Sequence, residues 1–465
     1  MRLMQEGVSP RTAPFYGYRG GQYGPVPKPM PLFGPNAHGA SLYRYGALLR
    51  EDLRTMRSKD RCWRLELAAT GSALLCGAWV GADVAICELP LPLESIGLKP
   101  LSGDGSTVIG RDSGGTAARW RQDSGWDALG DFDAHGVDFN GSVICGNDPE
   151  SLTAVLWTEW AGLSTLAAPD GFDGAIARAV AWTAGSFGGH VVGQLLQEGR
   201  YRAAYWRPYP SPAWSLVTLP PDAIWSTASD VAQNGVVAGI WQREDGFKTG
   251  FWSFAGSTYM LPGPNGSESW VWDTSPMGNV FVGVVPIPGD AYPFSIGIQH
   301  QACVWWPGGT SGVLRLLPNT QRAEARATSE WGRVIVGGCL DSGWASVATV
   351  WCEKGPVDLN RYLQCAGVSQ VPWPPLTWAF AVSGDGSTIL ARGGDGRHYL
   401  ITGFVPPTGP VTDLNWDGNT DGVDLGILLS DWGPCPSPCG SDFNADGAVD
   451  GNDLAQLLAK WGSCP

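Results

Sequence analysis

Short apolar runs alternate with turns marked by glycine and aspartate along most of this chain. The pattern is clearest from Gly103 to Leu129. There an Asp104-Gly105 turn leads into Thr107-Val108-Ile109-Gly110, then Ala117-Ala118-Arg119-Trp120, then Trp126-Asp127-Ala128-Leu129. Period-two spacing between such turns predicts short strands in tight hairpins. The first strand, with its turn, recurs as FNGSVICG (Phe139–Gly146), FGGHVVG (Phe187–Gly193), QNGVVAG (Gln233–Gly239), MGNVFVG (Met277–Gly283), WGRVIVG (Trp331–Gly337) and GDGSTILA (Gly384–Ala391). Strands ending at Trp120, Trp157, Trp206, Trp252, Trp305 and Trp351 follow these anchors. Leu-bearing strands at Leu129, Leu166, Leu219, Leu261, Leu317 and Leu359 come after them. A strand of small residues, such as Ala175–Val180 or Trp378–Val382, precedes each anchor.

Four strands in roughly 45 residues is the size of one propeller blade. Seven anchors but six following Leu strands leave His398-Tyr399-Leu400-Ile401 without an outer neighbour, and Ile86–Leu91 is a Leu-type strand without a blade. Pairing the two completes a seventh blade from both chain ends and removes a sheet edge that invites aggregation. The expected fold is therefore mainly β, a propeller of seven blades over residues 86–404. Six or eight blades, or a pair of β-sandwiches, are the alternatives.

Residues 405–410 (VPPTGP) read as a stiff linker, and 411–465 as a separate module. In it Asp413, Asn415, Asp417, Asn419, Asp421 and Asp424 take positions 1, 3, 5, 7, 9 and 12 of a twelve-residue loop, with Gly418 at position 6. A second loop repeats the pattern 29 residues on with Asp442, Asn444, Asp446, Ala448, Asp450 and Asp453, and Gly447 at position 6. Alternate oxygens of this kind converge on a hard cation, the glycine permits the sharp turn, and position 7 gives only its backbone carbonyl, so Ala448 serves there. The expectation is two calcium ions. Each loop runs into a similar helix, DLGILLSDWG or DLAQLLAKWG. Leu425, Leu428, Leu429 and Trp432 match Leu454, Leu457, Leu458 and Trp461 as an apolar face.

On these residues the module, Asp413 to Gly462, resembles a type I dockerin, the calcium-dependent plug that binds cohesin modules in bacterial cell-surface and cellulose-degrading assemblies. The resemblance implies a cohesin-like or cell-surface protein partner. Positions 10 and 11, which help to read the cohesin in that family, are Gly422-Val423 and Gly451-Asn452 rather than hydroxyl-bearing pairs. The body, through SGDGSTVIG, Ala118-Arg119-Trp120 and their copies, resembles the extracellular HAF-repeat proteins of bacteria, which implies fold and location rather than an activity.

With 43% hydrophobic residues and 24 Trp in 465, the chain has the makings of a packed core despite 65 Gly and 36 Pro. Its net charge of −14 disfavours nucleic acid. The N-terminal 1–55, rich in Gly, Pro, Tyr and Arg, reads as disordered, or as sequence upstream of a true start at Met56. Residues 56–85 carry a basic lead, an apolar stretch and small residues, which together read as a secretory signal. A degenerate eighth anchor (Thr70–Gly77) is the alternative reading. The apolar stretch is short for a membrane span, and the mature chain is expected to have none. The protein is thus expected to be secreted or at the cell surface, an environment that permits disulfides. Cys435 or Cys439 with Cys464, and Cys352 with Cys365, are candidate pairs.

No nucleophile elbow, phosphate loop, dinucleotide fingerprint or zinc motif is present. The reading is a non-catalytic interaction protein carried on a calcium-dependent docking module. The alternative is a polysaccharide-degrading hydrolase of glycosidase type, its carboxylates brought together at the propeller axis, or a carbohydrate-binding component. Trp in phase with the repeat pack between blades, whereas Trp160, Trp214, Trp225, Trp270 and Trp344 are off-phase and freer to face a ligand.

Overall fold

The computed structural model describes residues 84–89, 96–112, 115–182, 189–208, 212–287, 300–353, 355–368, 374–407, 412–414, 419–435, 440–444 and 446–462. All lie in the compact unit Leu74–Pro465. The protein is mainly β, 50% strand and 9% helical. The strands form five four-stranded antiparallel sheets, one eight-stranded sheet and a two-stranded ladder. The eight-stranded sheet is two meanders of four, joined where their first strands, Ile96–Leu101 and Asp133–Val137, meet in a single parallel pair, Lys99 opposite Gly136. The expected closure is present. Ala85–Glu88 adds antiparallel to His398–Thr402, with Cys87 opposite Leu400, as the outer strand of the last sheet. Val84 is buried in that sheet's core, so the closing strand needs the chain from Val84 onward.

The first strand of each meander packs against the first strand of the next. The last of them, Leu376–Val382, packs against Ile96–Leu101, so these strands complete a circuit in the manner of a propeller. The anchor turns make this circuit possible. Gly105 has φ +74°, and a Cβ there would stand 2.7 Å from Thr388 Oγ1 in the preceding sheet. The same holds for Gly141 against Thr107, Gly278 against Val236 and Gly386 against Val334. Each turn thus sits on the second strand of its neighbour, a contact only glycine allows. Backbone bonds link successive turns as well: Glu330 N–H donates to Gly384 O, Gly384 N–H to Gly103 O, and Asp104 N–H to Phe139 O.

The expected Trp phase is partly met. Trp120, Trp305 and Trp351 are buried between sheets, while Trp157, Trp206 and Trp252 are half-buried. The Leu phase needs correction. Leu129, Leu166 and Leu261 lie in outer strands, but Leu219 and Leu317 follow theirs. Leu359 opens a helix, α1 (Leu359–Cys365), because Asp358 caps it by accepting from Asn360 N and Arg361 N. Cys352 does not pair with Cys365: Cys365 is disulfide-bonded, whereas Cys352 keeps a thiol that donates to Gly355 O. The expected signal segment, the alternative eighth anchor and residues 1–55 fall outside the described residues.

Candidate functional site

Two regions bring chemistry-bearing side chains together: the C-terminal module and the axis of the circuit.

In the module, helices α2 (Gly422–Ser430) and α3 (Gly451–Ala459) pack around Leu428, Val449 and Leu457. Each begins with a capping box. Asp421 accepts from Val423 N at 2.8 Å while Asp424 accepts from Asp421 N at 2.7 Å. Asp450 and Asp453 repeat this on Asn452 N and Asp450 N at 2.7 and 2.9 Å. The position-12 carboxylates also reach back to the loop start. Asp424 Oδ1 accepts from Leu414 N, and Asp453 Oδ1 from Phe443 N, both at 2.7 Å. The two halves are tied reciprocally at position 8. Gly433 pairs with Val449 of the second loop, and Gly462 N–H donates to Thr420 O of the first at 2.8 Å.

Of the expected ligands, Asn415 and Asp417 lie outside the described residues, as does Gly418. Asp413 and Asp424 are buried, and Asp421 opens its helix. In the second loop, Asp442 accepts from Asp446 N and Gly447 N at 3.2 and 2.9 Å, and Asp446 Oδ1 accepts from Ala448 N at 3.0 Å. Gly447 has φ +92°, as the turn requires. The carboxylates therefore face loop amides, and among the described residues no three His, Cys, Asp or Glu converge closely enough to share an ion. The donor set still fits a hard cation. It is all oxygen, and in the second loop each carboxylate oxygen of Asp442 accepts a single loop amide, which leaves it a lone pair for an ion. The apolar helix face divides. Leu428 and Leu457 are fully buried, but Leu429, Trp432, Leu458 and Trp461 are 47–52% exposed in matching positions.

At the axis, the first strand of every sheet breaks register at one equivalent place. The out-of-register residues are His135, Arg178, Ser229, Trp272, Arg326 and Phe380, with Lys99 inside the irregular stretch of the first. All seven are half-buried. Lys99 Nζ lies 2.6 Å from Asp230 Oδ2 and 3.5 Å from Asp273 Oδ1. These carboxylates also hold the next sheet, accepting from Thr274 N and Thr328 N at 3.0 and 2.8 Å. Burial alone would lower the Lys99 ammonium, but the two carboxylates outweigh it and hold the lysine above its usual value. Burial pushes Asp273 well up. A cavity of about 30 Å³, room for a water or two, lies beside them, lined by Lys99, Asp273, Arg326, Thr328 and Phe380. Arg326 lies over the Trp272 ring at 4.2 Å and pairs with Glu324, which also meets His300 Nε2 at 2.5 Å. Lys99, Asp230, Asp273, Glu324 and Arg326 thus carry charges paired to one another at the axis.

The off-phase tryptophans separate: Trp214 and Trp270 are buried and Trp225 half-buried, while Trp160 and Trp344 are exposed. Trp331 was not singled out by phase, yet it is 59% exposed with φ +61° in its anchor turn. Cys145 and Cys339 are buried, and burial pushes both thiols up, as suits inert packing residues.

No family model matches the chain, and no curated protein matches its sequence. Solved structures of similar shape include a streptogramin B lyase (TM-score 0.45, 11% identity, 69% of this chain and 97% of that one). They also include a chain of the mitotic checkpoint complex (0.44, 11%, 74% and 99%) and the β-propeller domain of Myceliophteria thermophila Cps50 (Swd1) (0.44, 8%, 69% and 100%). At these values the likeness bears on neither activity nor partner. Among the described residues no helix is long and apolar enough to cross a membrane.

Proposed function

We propose that the chain is a secreted or cell-surface interaction protein: a seven-bladed β-propeller, counting the eight-stranded sheet as two blades, attached through a calcium-loaded, dockerin-like module. The observation that carries the reading is the duplication in the module. Gly433 meets Val449 as Gly462 meets Thr420, and Asp424 caps its loop as Asp453 caps the other, each 29 residues apart. Asp413, Asp421 and Asp424 of the first loop, and Asp442, Asn444, Asp446, Asp450 and Asp453 of the second, would hold the ions with the carbonyls of Asn419 and Ala448. A bound cation would neutralise carboxylates crowded within one turn. The matched exposed pairs Leu429/Leu458 and Trp432/Trp461 would give the module its apolar contact with a cohesin-like protein. The paired charges at the axis supply no nucleophile with a base, which suits a non-catalytic body. Calcium titration of the full chain by calorimetry tests the reading, with two ions expected. A pull-down from a bacterial surface extract with and without chelator tests the docking. A chain that takes up no calcium would end the proposal.

A second reading rests on Trp331. An exposed indole held at positive φ between the Met277-Gly278 and Asp385-Gly386 turns is the kind of flat platform on which a sugar ring stacks, and it would make the propeller a carbohydrate-binding component.

A further inference from the structure

A cavity of about 330 Å³ opens at the end of the propeller where the anchor turns lie. It is bounded by the Gly105-Ser106 turn, by Arg121, Gln122 and Asp123 of the hairpin beside it, by Asn140 of the next anchor turn and by Leu400 of the last sheet. We infer that this cavity seats one unit of a neutral polysaccharide. The inference deepens the carbohydrate reading above and is independent of calcium.

The walls are held in place before any ligand arrives. Asp104 Oδ1 accepts from Ser102 Oγ, Ser106 N and Ser106 Oγ at 2.6, 2.9 and 2.7 Å, which fixes the first turn. Asn140 fixes the second, its Oδ1 accepting from Ser142 N at 3.1 Å and Ser142 Oγ at 2.6 Å. Because that amide oxygen is committed to a backbone N–H, the side-chain NH2 is left over, and no acceptor among the described residues takes it. Arg121 spans the two turns. Its Nε donates to Thr107 Oγ1 at 3.3 Å, its Nη2 to Gly141 O at 3.4 Å and its Nη1 to Glu159 Oε1 at 3.3 Å. Asp123 Oδ1 accepts from Ser124 Oγ at 3.1 Å, which leaves its Oδ2 open. The Gln122 side chain is exposed and has no hydrogen-bond partner among the described residues.

The groups left over define the ligand. The Asn140 and Gln122 amides offer donors. Asp123 Oδ2, the Gln122 carbonyl and the lone pairs of Ser106 Oγ offer acceptors. A hydroxyl both donates and accepts, so a ligand bearing several hydroxyls answers this mixture. An anion would meet the Asp123 carboxylate, and a cation would meet a guanidinium. The Arg121 charge is itself met by Glu159, which Arg121 and Arg119 hold below the usual carboxylate range. The volume falls at the small end of the range of small-molecule sites, about 300–1,000 Å³, which suits a sugar unit. Phe139, next to Asn140, is 43% exposed and supplies apolar surface for the C–H face of a ring. It lies over Gly103, where a Cβ would stand 2.3 Å from its Cδ2. The ligand is a chain rather than a free sugar because the Trp331 turn belongs to the same rim. Glu330 N–H donates to Gly384 O, Gly384 N–H to Gly103 O and Asp104 N–H to Phe139 O, a continuous path from the indole's turn to that of Asn140.

The test is electrophoresis of the full chain in gels holding hydroxyethyl cellulose, galactomannan or mixed-linkage β-glucan, each read against a gel without polysaccharide. At least one of these neutral polymers is expected to retard the parent, and acidic polygalacturonate is not. Asn140→Asp keeps both bonds from Ser142 and removes the donors, Asp123→Asn keeps the bond from Ser124 and removes an acceptor, and Gln122→Ala removes both kinds. Each is expected to weaken binding about 5-fold with an unchanged urea midpoint. Retardation that is lost in Trp331→Asn but unchanged in all three cavity variants overturns the inference and leaves the carbohydrate reading standing. Retardation by polygalacturonate alone overturns the neutral ligand and the inference with it. A parent retarded by none of these polysaccharides overturns both inference and reading.

Discussion

The Lys99 ammonium sits 2.6 Å from Asp230 Oδ2, although the strands that carry them are separated in the circuit by two intervening first strands, Asp133–Val137 and Gly174–Ala181. The lysine therefore crosses the axis. Its charge meets carboxylates that are already holding the amides of Thr274 and Thr328, so one side chain braces three neighbouring first strands from the far side. Replacing Lys99 by Met leaves two buried carboxylates without a cation, which costs about 3–5 kcal/mol. Asp230→Asn and Asp273→Asn added to that variant keep the amide acceptors and remove the charges, and should restore most of the loss. Urea denaturation of the single and triple variants checks this; equal stability of parent and single variant would show that the bridge does not brace the ring.

A paired glycine experiment isolates the contact between neighbouring sheets. Gly105 and Gly125 have nearly the same φ, +74° and +76°, but a Cβ at Gly125 meets nothing within 4 Å while one at Gly105 meets Thr388. Gly125→Ala carries only the backbone penalty, about 1–2 kcal/mol. Gly105→Ala carries that and the overlap, and is expected to lose at least about 2 kcal/mol more. Equal losses would show that turn and neighbour can part freely.

These two residues also show why the architecture was legible in the sequence. The turn glycines recur because each must abut the sheet before it, and the buried Trp recur because each fills the same gap, so packing printed itself on the spacing. The closing strand at Ala85–Glu88 was visible for the same reason, as an outer strand without a blade. The axial residues were not visible. A bulge inserts a residue that breaks period two, and Lys99, Arg178, Trp272 and Phe380 share a position without sharing chemistry. One signal was available: the small residue ending the anchor, glycine or in the last sheet Ala391, pairs with the residue just before the bulge, as Gly193 does with Ala177 and Gly337 with Ala325. Helix α1 was hidden because Leu359 falls on the beat expected of a strand, and the deciding residue is the Asp358 cap beside it. In the module, spacing marked the two helices but not their bounds, which start two residues and end three residues before the expected Asp424–Gly433 and Asp453–Gly462, nor the division of the apolar face into buried Leu428 and exposed Leu429.

Acid should loosen the closure. His398 is 7% exposed on the strand that receives Ala85–Glu88, and its carbonyl accepts from Leu89 N. Burial, with the Arg392 charge nearby, lowers it from 6.5 to about 4. Between those values the unfolded chain binds a proton that the folded chain refuses. Stability therefore falls as pH drops through that window, by up to about 3 kcal/mol from this group. His135 and His190, also lowered chiefly by burial, act in the same direction. Denaturation midpoints at pH 7.5 and 4.5 should differ less in His398→Gln than in the parent; identical differences would remove His398 from the account.

Trp331 presents the sharpest conflict between local preference and observed conformation. A bulky residue at φ +61° carries about 1–2 kcal/mol of backbone strain, and a side chain 59% exposed returns little of it through burial. The equivalent turn positions hold Asp104, Asn140, Asn234, Met277 and Asp385, none of them at positive φ, and asparagine tolerates the left-handed region better than tryptophan. Trp331→Asn is therefore expected to stabilise the fold by about 1 kcal/mol, read as a rise in the urea midpoint. The same variant decides the second functional reading. If the indole is a sugar platform, retardation of the protein in gels containing soluble polysaccharide should be seen in the parent and lost in Trp331→Asn while Trp160→Ala keeps it. A variant that is more stable and migrates as the parent does would mean that the strain serves no glycan, and the propeller would then be left with protein contacts alone as its role. A variant that is no more stable would mean that the turn itself needs the indole, and would move attention to what Trp331 packs against when the neighbouring turns Met277-Gly278 and Asp385-Gly386 are in place.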